Sequence, residues 1–160
     1  MKRAFEATIV VFVLTSFLNA AEVKKPLPNL AEKKIAVASV ESQMQDLTTL
    51  SDEIWRFAET ALKETKSSKV LADYAEQKGF KVERGVAEMP TAFIASYGEG
   101  RPIIGILGEY DALPGISQKA SPVKEALVPG APGHGCGHNL FGVASLGAAV
   151  AVKELMAGGN

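Results

Sequence analysis

Both histidines and the single cysteine of this 160-residue chain lie within five consecutive positions, His134, Cys136 and His138, with a glycine in each gap. Thiolate and imidazole are good zinc ligands, and imidazole also binds other first-row metals. In an extended backbone, residues i and i+2 point to the same side, so Cys136 and His138 can face one cation. Gly133, Gly135 and Gly137 let the chain bend and come close to a ligand. A helix starting just after this loop would place its positive end nearby and favour the thiolate. His134 fits either a third ligand or a donor supporting the ligands from behind. Two other chemistries use the same residues. Cys136 activated by a neighbouring histidine would be a nucleophile, although catalytic Cys/His pairs typically come from separated segments. A buried free thiol with hydrogen-bonded histidines in a tight turn would be purely structural.

A second cluster precedes the loop. Glu109 and Asp111 follow the apolar run Pro102 to Leu107 and precede the turn residues Pro114 and Gly115. Open α/β sheets place ligand sites at the carboxyl ends of buried strands, and the i, i+2 spacing aims both carboxylates to one side. The plainer alternative is the start of a solvated loop. Gly115 to Pro132 is then a long Pro/Gly/Ser-containing loop, a length that is often functional in compact domains.

The elements that must position these residues come before and after. Val37, Val40, Met44, Leu47, Leu50, Ile54, Phe57, Ala58, Ala61 and Leu62 recur three or four apart, predicting one helix with Gln43, Asp46, Glu53, Arg56 and Lys63 on its polar side. Ser67 and Ser68 predict the cap of a second helix, Lys69 to Lys78, with Leu71, Tyr74 and Ala75 inward and Gly79 as its stop. Trp55 and Phe57 read as core. Three strands are expected: Phe80 to Val86, Thr91 to Tyr97, and Pro102 to Leu107. The last is apolar throughout and therefore expected to be covered on both faces. The turn at Gly98 to Gly100 would make the second and third neighbours. Leu140 to Met156 predicts a buried helix, its small residues Gly142, Ala144, Ser145 and Gly147 allowing close approach; its apolar stretch reads as too short to span a membrane. Together these give an α/β layered domain with two N-terminal helices and a mixed sheet.

Composition narrows the class. With 47% hydrophobic and 22% charged residues the chain is ordinary globular protein, and a net charge of −1 argues against a nucleic-acid partner. A lone cysteine forms no internal disulfide. Residues 1–20 have the layout of a signal peptide: Lys2 and Arg3, an apolar run from Ala7 to Phe17, and small residues at Ala20 and Ala21. The expected location is periplasmic or secreted, with residues 21–36 an exposed tether and 37–160 the folded part.

Two segments in this order, Leu107 to Gln118 (Leu-Gly-Glu-Tyr-Asp-Ala-Leu-Pro-Gly-Ile-Ser-Gln) and Gly133 to Leu140 (Gly-His-Gly-Cys-Gly-His-Asn-Leu), resemble the M20 metallopeptidase/amidohydrolase family. The likeness is to its Cys-Gly-His branch, nearest the members acting on aminobenzoyl-glutamate. Ile54 to Glu59 and Ser68 to Tyr74 are similar to that group's N-terminal helices. The resemblance implies a zinc-peptidase-like catalytic domain with two divalent metal ions, zinc or manganese, hydrolysing a small-molecule amide next to a carboxylated amino acid. It assigns Cys136 as the bridging ligand, His138 as the next ligand and Asp111 as the catalytic-site aspartate. Glu109 takes the place of a ligand histidine of other branches, and Glu109 and His134 are assigned supporting roles. A homodimer is implied for the complete enzyme.

The family pattern also calls for a Glu-Glu pair and later histidines, and neither occurs in these 160 residues. The expectation is therefore the first portion of such an enzyme, marginally folded and inactive alone. The alternative is a small non-catalytic metal- or thiol-containing domain.

Overall fold

The computed structural model describes residues 29–158. The leader expected over residues 1–20 and the first part of the tether lie outside the described residues. The order of elements is α1 (Leu30–Ser42), α2 (Met44–Phe57), α3 (Thr65–Gln77), β1 (Lys81–Arg84), a short 3-10 turn (Val86–Glu88), β2 (Phe93–Ser96) and α4 (His138–Ala157). The architecture mixes helices with a small sheet.

The single N-terminal helix of the sequence reading divides at Gln43, and its first half starts at Leu30, inside the stretch expected to be a tether. Gln43, expected on the polar face, is only 2% exposed. Its amide donates to the Ser39 carbonyl and hydroxyl at 3.1 and 3.2 Å, and its oxygen accepts from the Tyr74 hydroxyl at 2.9 Å. A polar residue survives burial because every group on it is paired. Val37, Val40 and Met44, the apolar positions of that stretch, are correspondingly exposed. Leu50 and Ile54 of the predicted stripe are buried in the core with α4, but the helix ends at Phe57, where Ala58 turns left-handed, so Ala61 and Leu62 lie beyond it and Leu62 is exposed.

α3 carries Leu71, Tyr74 and Ala75 inward as the spacing predicts, and Gly79 ends it with φ 81°. Its start differs. Ser67 and Ser68 are buried inside the helix, and the helix end is capped from a distance by Glu59. The Lys66 and Ser67 backbone N–H groups donate to the Glu59 carboxylate at 2.9 to 3.1 Å, with the Ser67 and Thr65 hydroxyls adding two more bonds. Burial tends to raise the Glu59 pKa, but these donors outweigh it and hold the carboxyl below its ordinary value.

β1 and β2 pair antiparallel, Lys81 opposite Ser96 through Arg84 opposite Phe93, and they are the one sheet among the described residues. The mixed sheet is therefore corrected to a two-stranded ribbon. The third strand does not form: Pro102 to Leu107 belongs to no ladder, and Ile103 and Ile104 are 79% and 76% exposed. An unbroken apolar run predicts a strand covered on both faces only where neighbouring strands and helices exist to cover it.

α4 packs on α1, α2 and α3, and its Val143, Leu146 and Val150 join the core with residues of α2 and α3. Gly147 permits this, since a side chain there would come within 2.8 Å of Leu47. The helix is not buried all round: Leu140, Phe141, Val152 and Met156 are exposed. It begins two residues earlier than expected and reaches 20 residues with a mean hydropathy of 1.6, long and apolar enough by composition to cross a bilayer. That corrects the length estimate from sequence, while its inner face remains part of the protein core.

Candidate metal centre

The Cys/His loop is drawn into place from both ends. Leu113 and Gly133 exchange two backbone hydrogen bonds of 3.0 Å each, which brings the two motif segments side by side. Gly133 has no space for a side chain, because a Cβ would sit 2.6 Å from the Ile116 carbonyl oxygen. Gly137 adopts φ 84°, a left-handed conformation that glycine takes without strain, and α4 starts at the next residue.

Two side chains tie the loop to the last turns of α2. Asn139 donates to the Ser51 hydroxyl at 3.0 Å, and the His134 Nε2 lies 3.0 Å from the Ile54 carbonyl. A carbonyl only accepts, so this contact assigns the proton of His134 to Nε2. Its Nδ1 is then a lone pair, buried and without a partner among the described residues. Burial pushes the His134 pKa down, the Ile54 carbonyl opposes that, and nearby His138 adds to the lowering. The ring is neutral at pH 7 and serves as an anchor.

The acidic segment is fixed just as firmly. The Ala112 N–H donates to the Glu59 carbonyl at 2.7 Å. Tyr110 turns to the opposite side, its ring stacked 6.1 Å from Phe93 and its hydroxyl donating to the Thr91 carbonyl. Burial raises the Tyr110 pKa, keeping that hydroxyl a donor. Gly142 of α4 lets the backbone pass closely, since a Cβ there would meet the Glu109 carbonyl oxygen at 2.8 Å. Glu109 and Asp111 thus reach the same side, as their spacing predicts, and both meet His138.

His138 Nδ1 stands 2.7 Å from Asp111 Oδ1, and its Nε2 stands 3.0 Å from Glu109 Oε2. One ligand atom from each residue lies within 4.8 Å of the others. This donor set, two carboxylates and an imidazole, is one that divalent zinc or manganese accepts. The contacts contain a chemical tension. A neutral imidazole that donates from Nδ1 to Asp111 has a bare lone pair at Nε2, facing a carboxylate oxygen that is also an acceptor. A proton or a cation shared between Nε2 and Glu109 would relieve that tension.

The structure brings Glu109, Asp111 and His138 together, and it does not bring Cys136 into that group. Cys136 is exposed at the tip of the turn, whereas His138 has already entered α4. The i, i+2 rule applies to an extended chain, and here the two residues straddle a turn and a helix start. His134 lies behind the loop. Glu59 and Gly142 are the positioning residues that the sequence reading missed. Glu59 acts through backbone and cap contacts that no local spacing reveals, while Gly142 was recognised only as a small residue of the helix.

No family model matches the chain. Among curated proteins it is 49% identical over 117 residues to one of the subunits of the p-aminobenzoyl-glutamate hydrolase of Escherichia coli (strain K12), a match covering 72% of this chain and 24% of that protein. It is 30% identical over 132 residues to Xaa-Arg dipeptidase of Homo sapiens, covering 74% of this chain and 27% of that protein. Both are M20-family proteins, the family that the two motif segments resemble. The chain belongs to the M20 family. It spans about a quarter of the length of these M20 relatives. Both relatives are hydrolases by name.

Proposed function

We propose that this chain contributes the metal-binding part of an M20-type hydrolase that cleaves amide bonds next to a carboxylated amino acid, of the aminobenzoyl-glutamate kind. The observation supporting it most is the position of His138, held by Asp111 through Nδ1 with Nε2 turned to Glu109. Carboxylate–imidazole pairing of this kind fixes the tautomer and raises the basicity of the ligating nitrogen. In this reading Asp111 orients the ring, while His138 Nε2 and Glu109 hold the cation. Cys136 supplies a thiolate from the neighbouring turn, and His134 keeps the turn anchored to α2. Divalent zinc or manganese, two ions in the complete site, would polarise the amide carbonyl and acidify water.

The isolated chain is proposed to bind metal without turning over substrate. A hydrolase of this class needs a general base and further ligands, which the family pattern draws from a Glu-Glu pair and later histidines that these 160 residues lack. Export to the periplasm or medium is proposed from the leader-like residues 1–20. Calorimetric titration with zinc is the test. Saturable binding that weakens at least tenfold in both His138→Ala and Glu109→Gln supports the reading. Unchanged affinity in both would remove its basis. Hydrolysis of an aroyl-glutamate amide by the chain alone, abolished by His138→Ala, would overturn the proposed lack of turnover.

A further inference from the structure

A buried acid stands behind the acidic segment and takes no direct part in the metal centre. Glu64, at the head of α3, is 7% exposed, and Thr91, just before β2, is 6% exposed. One Glu64 carboxyl oxygen accepts from the Leu62 N–H at 2.9 Å, the other from the Thr91 hydroxyl at 2.7 Å. Among the described residues no cationic side chain pairs with Glu64. Burying an acid is costly unless donors meet its oxygens, and here each oxygen has one. The Leu62 contact also carries strain. Leu62 sits at φ 65°, a left-handed backbone that a branched side chain rarely takes. The chain thus tolerates a buried acid and a left-handed leucine, and what they hold in place is the hydroxyl of Thr91.

Thr91 passes the constraint on. Its carbonyl accepts from the Tyr110 hydroxyl, and Phe93, two residues later, stacks on the Tyr110 ring. Tyr110 lies between Glu109 and Asp111 in an extended stretch, where a side chain points opposite to those of both neighbours. Fixing Tyr110 by ring and hydroxyl on one side therefore commits both carboxylates to the other, where they meet His138. The geometry points to Glu64 as a positioning residue: through Thr91 and Tyr110 it holds Glu109 and Asp111 against the two ring nitrogens of His138. Its consequence for metal affinity rests on the metal-binding reading above, whereas its consequence for the His138 contacts does not.

Two like deletions on the full chain separate positioning from stability. Tyr110→Phe and Tyr74→Phe each remove one inward hydroxyl, and that of Tyr74 serves Gln43 rather than the acidic segment. In the zinc-free chain, NMR reads how fast the His138 Nδ1 proton, held by Asp111, exchanges with solvent. Exchange should be about three- to tenfold faster in Tyr110→Phe, Thr91→Val and Glu64→Gln. It should keep the parent rate in Tyr74→Phe and in Thr91→Ser, which restores the hydroxyl. Glu64→Gln added to Tyr110→Phe should change little more, because both act through one contact. Zinc affinity should fall by a like factor in the same three single variants. Lowered denaturation midpoints with parent exchange rates in all three would overturn the proposal and leave Glu64 a packing residue. Zinc still bound through His138 in that case would show that the metal reading stands without it. Faster exchange in a chain that binds no zinc supports the positioning and removes the metal reading instead.

Discussion

The two sides of α4 have almost the same composition and opposite fates. Val143, Leu146 and Val150 are 4%, 8% and 2% exposed, while Leu140 and Met156 are 62% and 48% exposed. The inner side meets Leu50 and Ile54 of α2 and Leu71 of α3, helices with apolar stripes of their own. The outer side meets less: Gly142 and Ser145 lie against the crossing segment at Gly108 and Glu109, and Met156 reaches Gly98. Apolarity states that a residue gains from a cover; whether a cover exists is a property of the rest of the fold. Glu109 and His138 sit along this boundary, with His138 at the first turn of the helix and Glu109 on the extended segment that crosses it.

The contrast can be broken most severely from inside. Ile54 is fully buried, so Ile54→Ala should cost about 2–5 kcal/mol, read as a large fall in the denaturation midpoint. An equal loss from Leu140→Ser would erase the distinction between the two sides. Next comes the boundary itself. Gly142→Ala drives a methyl toward the Glu109 carbonyl and should cost about 1–3 kcal/mol. It should also weaken zinc binding, because Glu109 and Asp111 move with the backbone. Unchanged affinity and stability would show that the crossing does not position the donors.

A smaller effect is expected at the α3 cap. Glu59→Gln should lose about 1 kcal/mol near neutral pH. The sign of its pH dependence follows from the lowered carboxyl pKa. The stabilisation is fully present above the unfolded pKa and fades as pH falls through the lower, folded value. Urea unfolding below about pH 4.5 should therefore show a shallower acid slope in the variant than in the parent. The smallest effect belongs to the outer side of α4, where Leu140→Ser should stay within about 0.5 kcal/mol.

These differences also mark where the sequence was legible. Leu71, Tyr74 and Ala75 were readable because a 3.6-residue stripe and a terminating Gly79 are local signals. Gln43 was not, because its burial depends on Tyr74, 31 residues away. The Glu59 cap is likewise invisible in spacing, since a carboxylate closes the helix end from outside its own first turn. Glu109 and Asp111 were correctly placed on one side of the chain, and the Tyr110 side chain on the other confirms the extended alternation. The pairing of Cys136 with His138 was drawn from the same rule, which lapses where Gly137 turns into a helix. The family likeness is carried by two short segments, Leu107 to Gln118 and Gly133 to Leu140, and is legible without the fold.

Nitrogen NMR of the His138 ring, with His134→Gln removing the other signal, measures the central claim most directly. The account predicts that Nδ1 keeps its proton toward Asp111 while adding zinc shifts Nε2 into the metal-bound range. Both ring nitrogens unchanged under excess zinc, with the variant folded, would contradict it.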